Sequence, residues 1–529
     1  MTLDGRLCEN VKNKSKAMKN IFKNSSRYGI IKAWEMALNI CVGVFFMRYI
    51  EGKIDRDQIS IMPMAFDEMI GEENPVRVID AFIEMLDIKA LGCKYSETSA
   101  TGRMPYNPKD MLKLYVYGYF NGIRTSRKLE KECHRNIELM WLINKLAPDF
   151  KTIADFRKDN KQAVIGIFKE FSLFCNELNL IGKEMVAIDG SKFRASNSRR
   201  KNFTKRKIEK MLAHFEQSAQ KYLELLESSD GSEEENNTVN VKQIEEKLKN
   251  AKKRIEELNL LQKEVEEKGE VSITDPDARH MSVSNNGTDI AHNVQVAVDS
   301  KHHLVVAVDI TSNAADNGQL YPMAELTKQE LSVDEITVLA DKGYYNGKDL
   351  KSCEENGITT IVSKQKSANR TGDENFAKDK FTYNSKRDIY ICPMGNELKR
   401  KSGEKAKRQK YICDECNKCI NRDKCTTSRK GRTVSLTEYQ DVYDRADKLF
   451  AENIELYKQR QMIVEHPFGT IKRALGYTYF LQRGHENVKC ESYMHFFTYN
   501  LKRVINIMGI TPLIDAIKSK MSKVYQAYI

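Results

Sequence analysis

The sequence lacks a long apolar run. Ala33–Phe46 contains ALNICVGVFF, about ten mostly apolar residues preceded by Lys32 and Glu35. A bilayer-spanning helix needs about 20 such residues, so a membrane protein is not expected. No secretory signal pattern is visible, and the twelve Cys are therefore not expected to form a disulfide framework. Acidic residues are in deficit, 74 against 86 Lys and Arg, for a formal net charge of +12. That excess favours a polyanionic partner, most often nucleic acid. With 41% hydrophobic residues the chain is not a disordered protein, and 529 residues imply two to four structural units.

Residues 1–46 differ in character from the rest of the chain, and Met47 is expected to be the original start, with 1–46 an atypical N-terminal extension. From Pro75 to about Leu180 the apolar spacing is helical. Pro108 opens one helix with Asn107 as a candidate cap, and Ser126 is a candidate cap for the next. Short helices with exposed Arg and Lys suggest a helix-turn-helix-like DNA-binding domain over 47–180; a helical bundle without a nucleic-acid role remains the alternative. At Lys183 the period changes. EMVAIDG reads as a buried strand, HNVQVAVDS and HHLVVAVDIT as a hairpin, YPMAELTKQELS as a helix and EITVLADKGY as a further strand. That order describes an α/β unit with a mixed sheet. Between the first strand and the hairpin, apolar residues recur every three or four positions in two runs, from Ile208 to Leu226 and from Ile244 to Val265. They predict an antiparallel helical hairpin over 203–269, a spacer or dimerisation arm.

Asp189 and Asp341 each end an apolar strand, where open α/β sheets place ligands. An Asp after a strand is also a common turn former. Asp299, before Ser-Lys, reads as a turn residue, and Asp309 as a strand end with no neighbouring base. Two Asp and a helical Glu together supply the oxygen ligands for two divalent cations in phosphodiester chemistry. Glu465 and Lys472 stand seven apart in IVEHPFGTIKR, nearly two helical turns, so one face is expected to carry both. Cys392 in YICPMG and Cys413, Cys416, Cys419 and Cys425 in YICDECNKCINRDKCT read as a tetrahedral thiolate zinc site, with five candidates for four places.

AIDGSKFRA, HNVQVAVD, VLADKGYYNG and VEHPFGTIKRALGYTYFLQRG, in that order, closely resemble the bacterial insertion-sequence transposases of the DDE class. The resemblance implies a ribonuclease H-like mixed-sheet core assembled from 181–202, 270–345 and 436–510, a Cys-rich insertion over 346–435 and a C-terminal tail over 511–529. It implies catalytic, Mg²⁺-binding (or Mn²⁺-binding) roles for Asp189, Asp341 and Glu465, with Pro467 at the start or a kink of the helix of Glu465. It further implies DNA contacts by Lys472, Arg460 and Tyr457. Arg473, Lys192 and Arg194, in the basic segments beside these motifs, are candidates for phosphate contacts. For zinc, relatives with this insert match Cys392, Cys416, Cys419 and Cys425 best, leaving Cys413 as the alternative ligand. The implied function is a DNA transposase that binds the element's terminal inverted repeats, cleaves there and joins the ends to target DNA. It would work as a homo-oligomer, in the bacterial cytoplasm at the nucleoid. A ribonuclease H-fold nuclease that only hydrolyses DNA and a catalytically inactive DNA-binding zinc protein are the two alternatives.

Overall fold

The computed structural model describes residues 65–96, 104–229, 237–283, 287–364, 371–401 and 408–528. The expectations for residues 1–46 and Met47 lie outside them, as does the polar turn of the helical hairpin. The chain divides into two units, one of 1–51 with 95–107 and one of 52–94 with 108–529. Of the first unit only 95–96 and 104–107 are described. The second unit holds the elements that build the sheet and its surroundings.

Among the described residues six α-helices precede the sheet: α1 (Pro75–Met85), α2 (Pro108–Phe120), α3 (Ser126–Cys133), α4 (Ile137–Leu142), α5 (Phe150–Asp159) and α6 (Lys161–Glu177). Side chains in extended backbone cap several of them. Asn74 accepts from the Val76 amide, and Asp149 from those of Lys151 and Thr152. The cap of α3 is Thr125, not Ser126, which is already the first helical residue.

The central sheet contains β1 (Met185–Arg194), β4 (Arg279–Val283), β5 (Gly287–Asp299), β6 (Val305–Thr311), β7 (Ile336–Ala340) and β8 (Ile358–Val362). Its order is β4-β5-β1-β7-β8, with β6 also paired to β5. β1, β7 and β8 run parallel, whereas β5 is antiparallel to β1, β4 and β6. The expected hairpin is the β5–β6 pair. Asp299 forms its turn as expected: it is buried and accepts backbone N–H bonds from Gly182, Lys183 and Lys301. Between β1 and β4 come β2 (Asn202–Thr204), α7 (Lys205–Ser229), α8 (Asn237–Lys268) and β3 (Glu270–Ser272). Ile208 packs with Leu258 and Val265, and Ala219 with Leu248 and Ala251, so α7 and α8 run antiparallel. The antiparallel pair β2–β3 closes the base of this arm.

After β6 come α9 (Leu320–Leu331) and α10 (Gly347–Glu355). The Cys-rich stretch lies in the same unit as the central sheet and carries a sheet of its own. That sheet has five strands in the order β13-β12-β11-β10-β9: β9 (Thr382–Asn384), β10 (Ile389–Ile391), β11 (Glu397–Arg400), β12 (Arg408–Ile412) and β13 (Thr433–Thr437). The single-turn helix α11 (Arg422–Cys425) lies between β12 and β13. The chain ends in α12 (Gln440–Glu452), α13 (Ile454–Gly469), α14 (His485–Met508) and α15 (Ile510–Tyr528). The stretch expected to be a tail is thus mostly helix, and α15 packs on α1.

Helix α14 joins the helical block to the sheet. Phe497 lies 5.9 Å from Phe82 of α1 and 5.4 Å from Phe171 of α6, and Tyr493 lies 5.1 Å from Phe168. On the sheet side Asn500 accepts from the Val305 amide at 2.9 Å and donates to the Val305 carbonyl at 2.7 Å, satisfying a buried strand edge. Glu491 is fully buried on the same helix. It accepts the amides of Leu481 and Gln482 and pairs at 3.4 Å with Arg124, from the turn before α3. Arg124 also stacks over Tyr477 and Tyr479. The helical residues therefore belong to the same packed body as the sheet.

Removing one partner of a buried pair leaves the other charge uncompensated. Arg124→Met is expected to lower stability by about 3–5 kcal/mol, read as a shift in urea midpoint without change of slope. The double variant Arg124→Met with Glu491→Gln should recover part of the loss.

Candidate active site

Parallel pairing sets Ile188 of β1 beside Ala340 of β7. The next residues are Asp189 and Asp341, so the two Asp follow ladder partners on strands whose backbones run roughly 4.8 Å apart. Asp189 lies within β1, which continues to Arg194, and Asp341 stands at a turn. Asp189 Oδ1 accepts the Gly190 amide at 2.9 Å, and Asp341 Oδ1 accepts the Gly343 amide at 2.6 Å, capping a 3-10 turn over Lys342–Tyr344. Among the described residues no hydrogen bond reaches the second oxygen of either carboxylate. Burial pushes Asp189 up to about 6; Arg460 opposes the shift, while the negative charges of Asp341 and Asp316 add to it.

Arg460, Tyr457 and Glu465 all come from α13, which packs on β1 and β7. Tyr457 donates to Ser363 Oγ at 2.9 Å, tying the helix to the end of β8, and Arg460 lies over the Tyr457 ring. Glu465 is exposed and accepts from Gln461 Nε2 at 2.7 Å. No three His, Cys, Asp or Glu side chains are gathered closely enough to hold one ion among the described residues. The structure thus brings Asp189 and Asp341 together and leaves Glu465 apart from them. Pro467 lies inside α13 near its end rather than at its start, and the helix passes into a π-helical turn over Thr470–Ala474.

That turn separates Glu465 from Lys472. The Lys472 ammonium points inward to β1, donating to Ser191 Oγ at 2.6 Å and the Lys192 carbonyl at 2.9 Å, above the Phe193 ring. Burial, and then the Lys192 charge, lower its pKa to about 8. Lys192 is itself paired with Asp316 at 3.1 Å. Arg194 lies over Tyr479, and Arg473 is exposed. Of the six candidate DNA-contacting side chains, the two lysines are thus engaged inside the protein.

Sequence reasoning missed Asp316, in the loop between β6 and α9. Its Oδ1 accepts from Asn293 Nδ2 and Gln295 Nε2, both at 2.8 Å. Gly190 is required beneath it, since a Cβ there would lie 2.3 Å from Gln295 Nε2 and 2.5 Å from Asp316 Oδ1.

In the insertion, Cys413, Cys416 and Cys425 are buried in one core against which Cys392 packs. The Asn396 amide donates to Cys392 Sγ and the Arg432 amide to Cys416 Sγ, both at 3.2 Å. Burial raises Cys413 and Cys425 to about 12 and about 11. Gly431, at φ +88°, allows the Arg432 loop to close, because a Cβ there would meet the Cys413 carbonyl at 2.3 Å.

The Asp189 shift carries a testable sign. Its folded pKa of about 6 exceeds the usual 3.8, so its contribution to stability is complete below pH 4 and is lost as pH rises through 6. Without divalent cations, Asp189→Asn should match the wild type near pH 4 and exceed it near pH 7.5, by no more than about 3 kcal/mol. Thermal melts in chelator at the two pH values check this.

Residues 64–159 match the family model described as "Transposase domain (DUF772)", and residues 391–505 match the one described as "Transposase DDE domain". The second match includes the five clustered Cys and Glu465 but neither Asp. No curated protein matches. Among solved structures, "Cryo-EM structure of piggyBac transposase synaptic complex with hairpin DNA (SNHP)" aligns at 10% identity and a TM-score of 0.30, over 85% of this chain and 79% of that one. The two family matches, one in the helical block and one across the insertion and the helices after it, support a DDE transposase.

Proposed function

We propose that this protein is the DNA transposase of a bacterial insertion sequence, with a ribonuclease H-like core in which Asp189, Asp341 and Glu465 form the metal-binding catalytic set. The observation that carries the reading is the nearness of Asp189, within β1, to Asp341, just past the end of β7, at the point where the parallel ladder of the two strands stops, beside the helix that bears Arg460 and Glu465. The donor set fits a hard divalent cation: carboxylate oxygens with unfilled acceptor positions, part-buried beside one another. Mg²⁺ or Mn²⁺ held there would activate a nucleophile and stabilise the leaving oxygen in phosphodiester displacement.

The chain's own residues bind and orient the DNA. Arg473, Arg194 and the basic run after β1 hold phosphates near the carboxylates, and the helical block over 107–160 reads the element's ends. In the first step water attacks the phosphorus at the element end. The P–O3′ bond breaks and a 3′-hydroxyl is released. In the second, that hydroxyl attacks a target phosphodiester, forming a new P–O bond and releasing a target 3′-hydroxyl. Holding two ends together calls for a homo-oligomer, and the site of action is the bacterial cytoplasm at the nucleoid. The Cys-rich stretch would hold a structural Zn²⁺ through Cys392, Cys416, Cys419 and Cys425, with Cys413 as the alternative; as they stand among the described residues, no three of these thiols are gathered on one ion position, so binding would draw them together. The two N–H···S bonds support this, since backbone donors of that kind stabilise ligating thiolates.

Elemental analysis should find about one zinc per chain, and Cys416→Ser should lower that content and destabilise the insertion. Purified protein without zinc would remove the zinc site. The function itself is tested by Mg²⁺-dependent cleavage of DNA carrying the element's own ends. Wild type should cleave, and Asp341→Asn should lose cleavage by about 10³-fold or more while still binding the DNA. Equal cleavage by both would show that Asp341 is only the turn cap. A strand-transfer assay with pre-cut ends separates transposase from nuclease, because a nuclease gives no joined product.

A further inference from the structure

A cavity of about 430 Å³ lies between the Cys-rich stretch and the elements that follow Asp341. One wall comes from Tyr345, just past the turn that Asp341 caps, and from Gln440 and Tyr443 of α12. The other wall includes Tyr390 of β10. A volume of that size suits a small organic group. Tyr345 and Tyr443 stack with ring centroids 4.9 Å apart and planes at 16°. Their hydroxyls hold both rings in place: Tyr345 donates to Asp447 Oδ1 at 2.7 Å, and Tyr443 accepts the Gly347 amide at 2.8 Å. Gly347 lets α10 come this close, since a Cβ there would lie 2.5 Å from Tyr439 Cβ and 3.0 Å from Tyr443 Cζ.

Two polar groups of the lining are unused. Gln440 Nε2 donates to Asp444 Oδ1 at 2.9 Å, but Gln440 Oε1 is buried without a donor among the described residues. Tyr390 is only 4% exposed, and among the described residues no hydrogen bond reaches its hydroxyl. A buried acceptor without a donor costs free energy, and here an unused donor lines the same cavity. Charge does not favour an anion in it. Lys364 and Lys378 line it, but so do Asp379 and Asp444, and Asp447 holds Lys364 at 2.6 Å. The occupant that fits is planar and neutral and carries an N–H beside an acceptor. A nucleobase has that edge, and every base has a face that stacks on aromatic rings.

The surroundings favour a base within a strand over a free nucleotide. Lys378 also lines a second cavity, of about 340 Å³, along the edge strand β13. Thr433, Ser435 and Thr437, alternate residues of β13, line it together with Arg432. Hydroxyls and cationic side chains in a row suit a sugar-phosphate backbone, so a strand can run on from the base.

We infer that the larger cavity binds one unstacked base of the DNA substrate against the Tyr345–Tyr443 pair, with Gln440 Oε1 accepting from a base N–H and the Tyr390 hydroxyl donating to the acceptor beside it. The inference rests on the reading of DNA as the substrate.

The test is fluorescence anisotropy of the full-length chain with labelled single strands of about twelve nucleotides. One strand is oligo(dA); the other has the same phosphates with abasic sites throughout. At one salt concentration phosphate contacts contribute equally to both. Wild type should bind oligo(dA) about 10-fold or more tightly than the abasic strand. Tyr390→Phe with Gln440→Met removes both polar groups and keeps the bulk of each side chain, and melting curves confirm that it folds. It should lower the preference about 5-fold or more and leave abasic binding unchanged. Tyr390→Phe alone, the milder change, should remove part of the preference. Equal binding of both strands by wild type, or an unchanged preference in the variants, overturns the inference and leaves the DNA reading intact. Displacement of oligo(dA) by an equal concentration of dAMP overturns the strand as occupant and assigns the cavity to a free nucleotide. Wild type that binds neither strand overturns the DNA reading as well.

Discussion

Two carboxylates at the point where the parallel ladder of β1 and β7 stops repel one another, and much of the surrounding structure answers that repulsion. The β1–β7 register leaves no choice about their proximity, because Ile188 and Ala340 are ladder partners and Asp189 and Asp341 are the next residues. Each acid accepts a backbone amide from a glycine within two residues. Gly190 is required a second time by the close approach of Asp316 and Gln295. Beyond them the strands carry Asn293 and Gln295 on buried ground where apolar residues would pack more cheaply; Gln295 is bonded at both ends of its amide, whereas Asn293 donates to Asp316 and its Oδ1 is left without a partner among the described residues. The cost of placing the pair is thus spread over a polar network rather than borne by two side chains.

The second organising feature is α14. It carries Glu491, Ser492, His495, Thr498 and Asn500, all buried, in a helix whose other faces hold Tyr493, Phe496, Phe497 and Leu501. A helix buried on all sides must satisfy its polar groups inside the protein. Asn500 does so on the β6 edge, and Glu491 on the amides after the π-helical turn and on Arg124. Those partners belong to the sheet, to the catalytic helix region and to the helical block. Anything bound by α2–α6 is consequently held in a set orientation to β1.

Much of this is legible locally. The short apolar runs before Asp189 and Asp341, the hairpin turning at Ser300-Lys301 and the two heptad-like runs of the helical arm are all short-range patterns, and the corresponding elements are present, although β1 continues past Asp189 to Arg194. The features that are not legible are long-range and polar. Asp316 sits in SNAADNGQ, where an Asp looks like any turn former, and its partners lie 21 to 124 residues away. Arg124 and Glu491 are 367 residues apart. Neither pairing leaves a periodicity in the chain. Placing Lys472 on the face of Glu465 assumes unbroken α-helical spacing, and the π-helical turn after Pro467 removes that assumption. The stretch after 510 reads as a tail in the sequence, because the packing of α15 on α1 is decided by residues more than 400 positions earlier.

The inward lysines have an electrostatic consequence. Around Asp189 the near charges are Asp341 and Asp316 on one side and Arg460, Lys472 and Lys192 on the other. Counting Asp189 itself, three carboxylates face three cations, so the ion-free site is close to neutral. It becomes so only when Asp189 is ionised, which by its pKa of about 6 is the prevailing form at pH 7 and above. On the proposed metal-binding reading, one divalent charge added to this balanced cluster would leave a net positive field at the place where a phosphodiester would sit. Lys472 and Lys192 do not extend into solvent; their ammonium groups are engaged on Ser191 and Asp316 inside the protein, so neither offers a free positive charge that would attract DNA regardless of the state of the carboxylates.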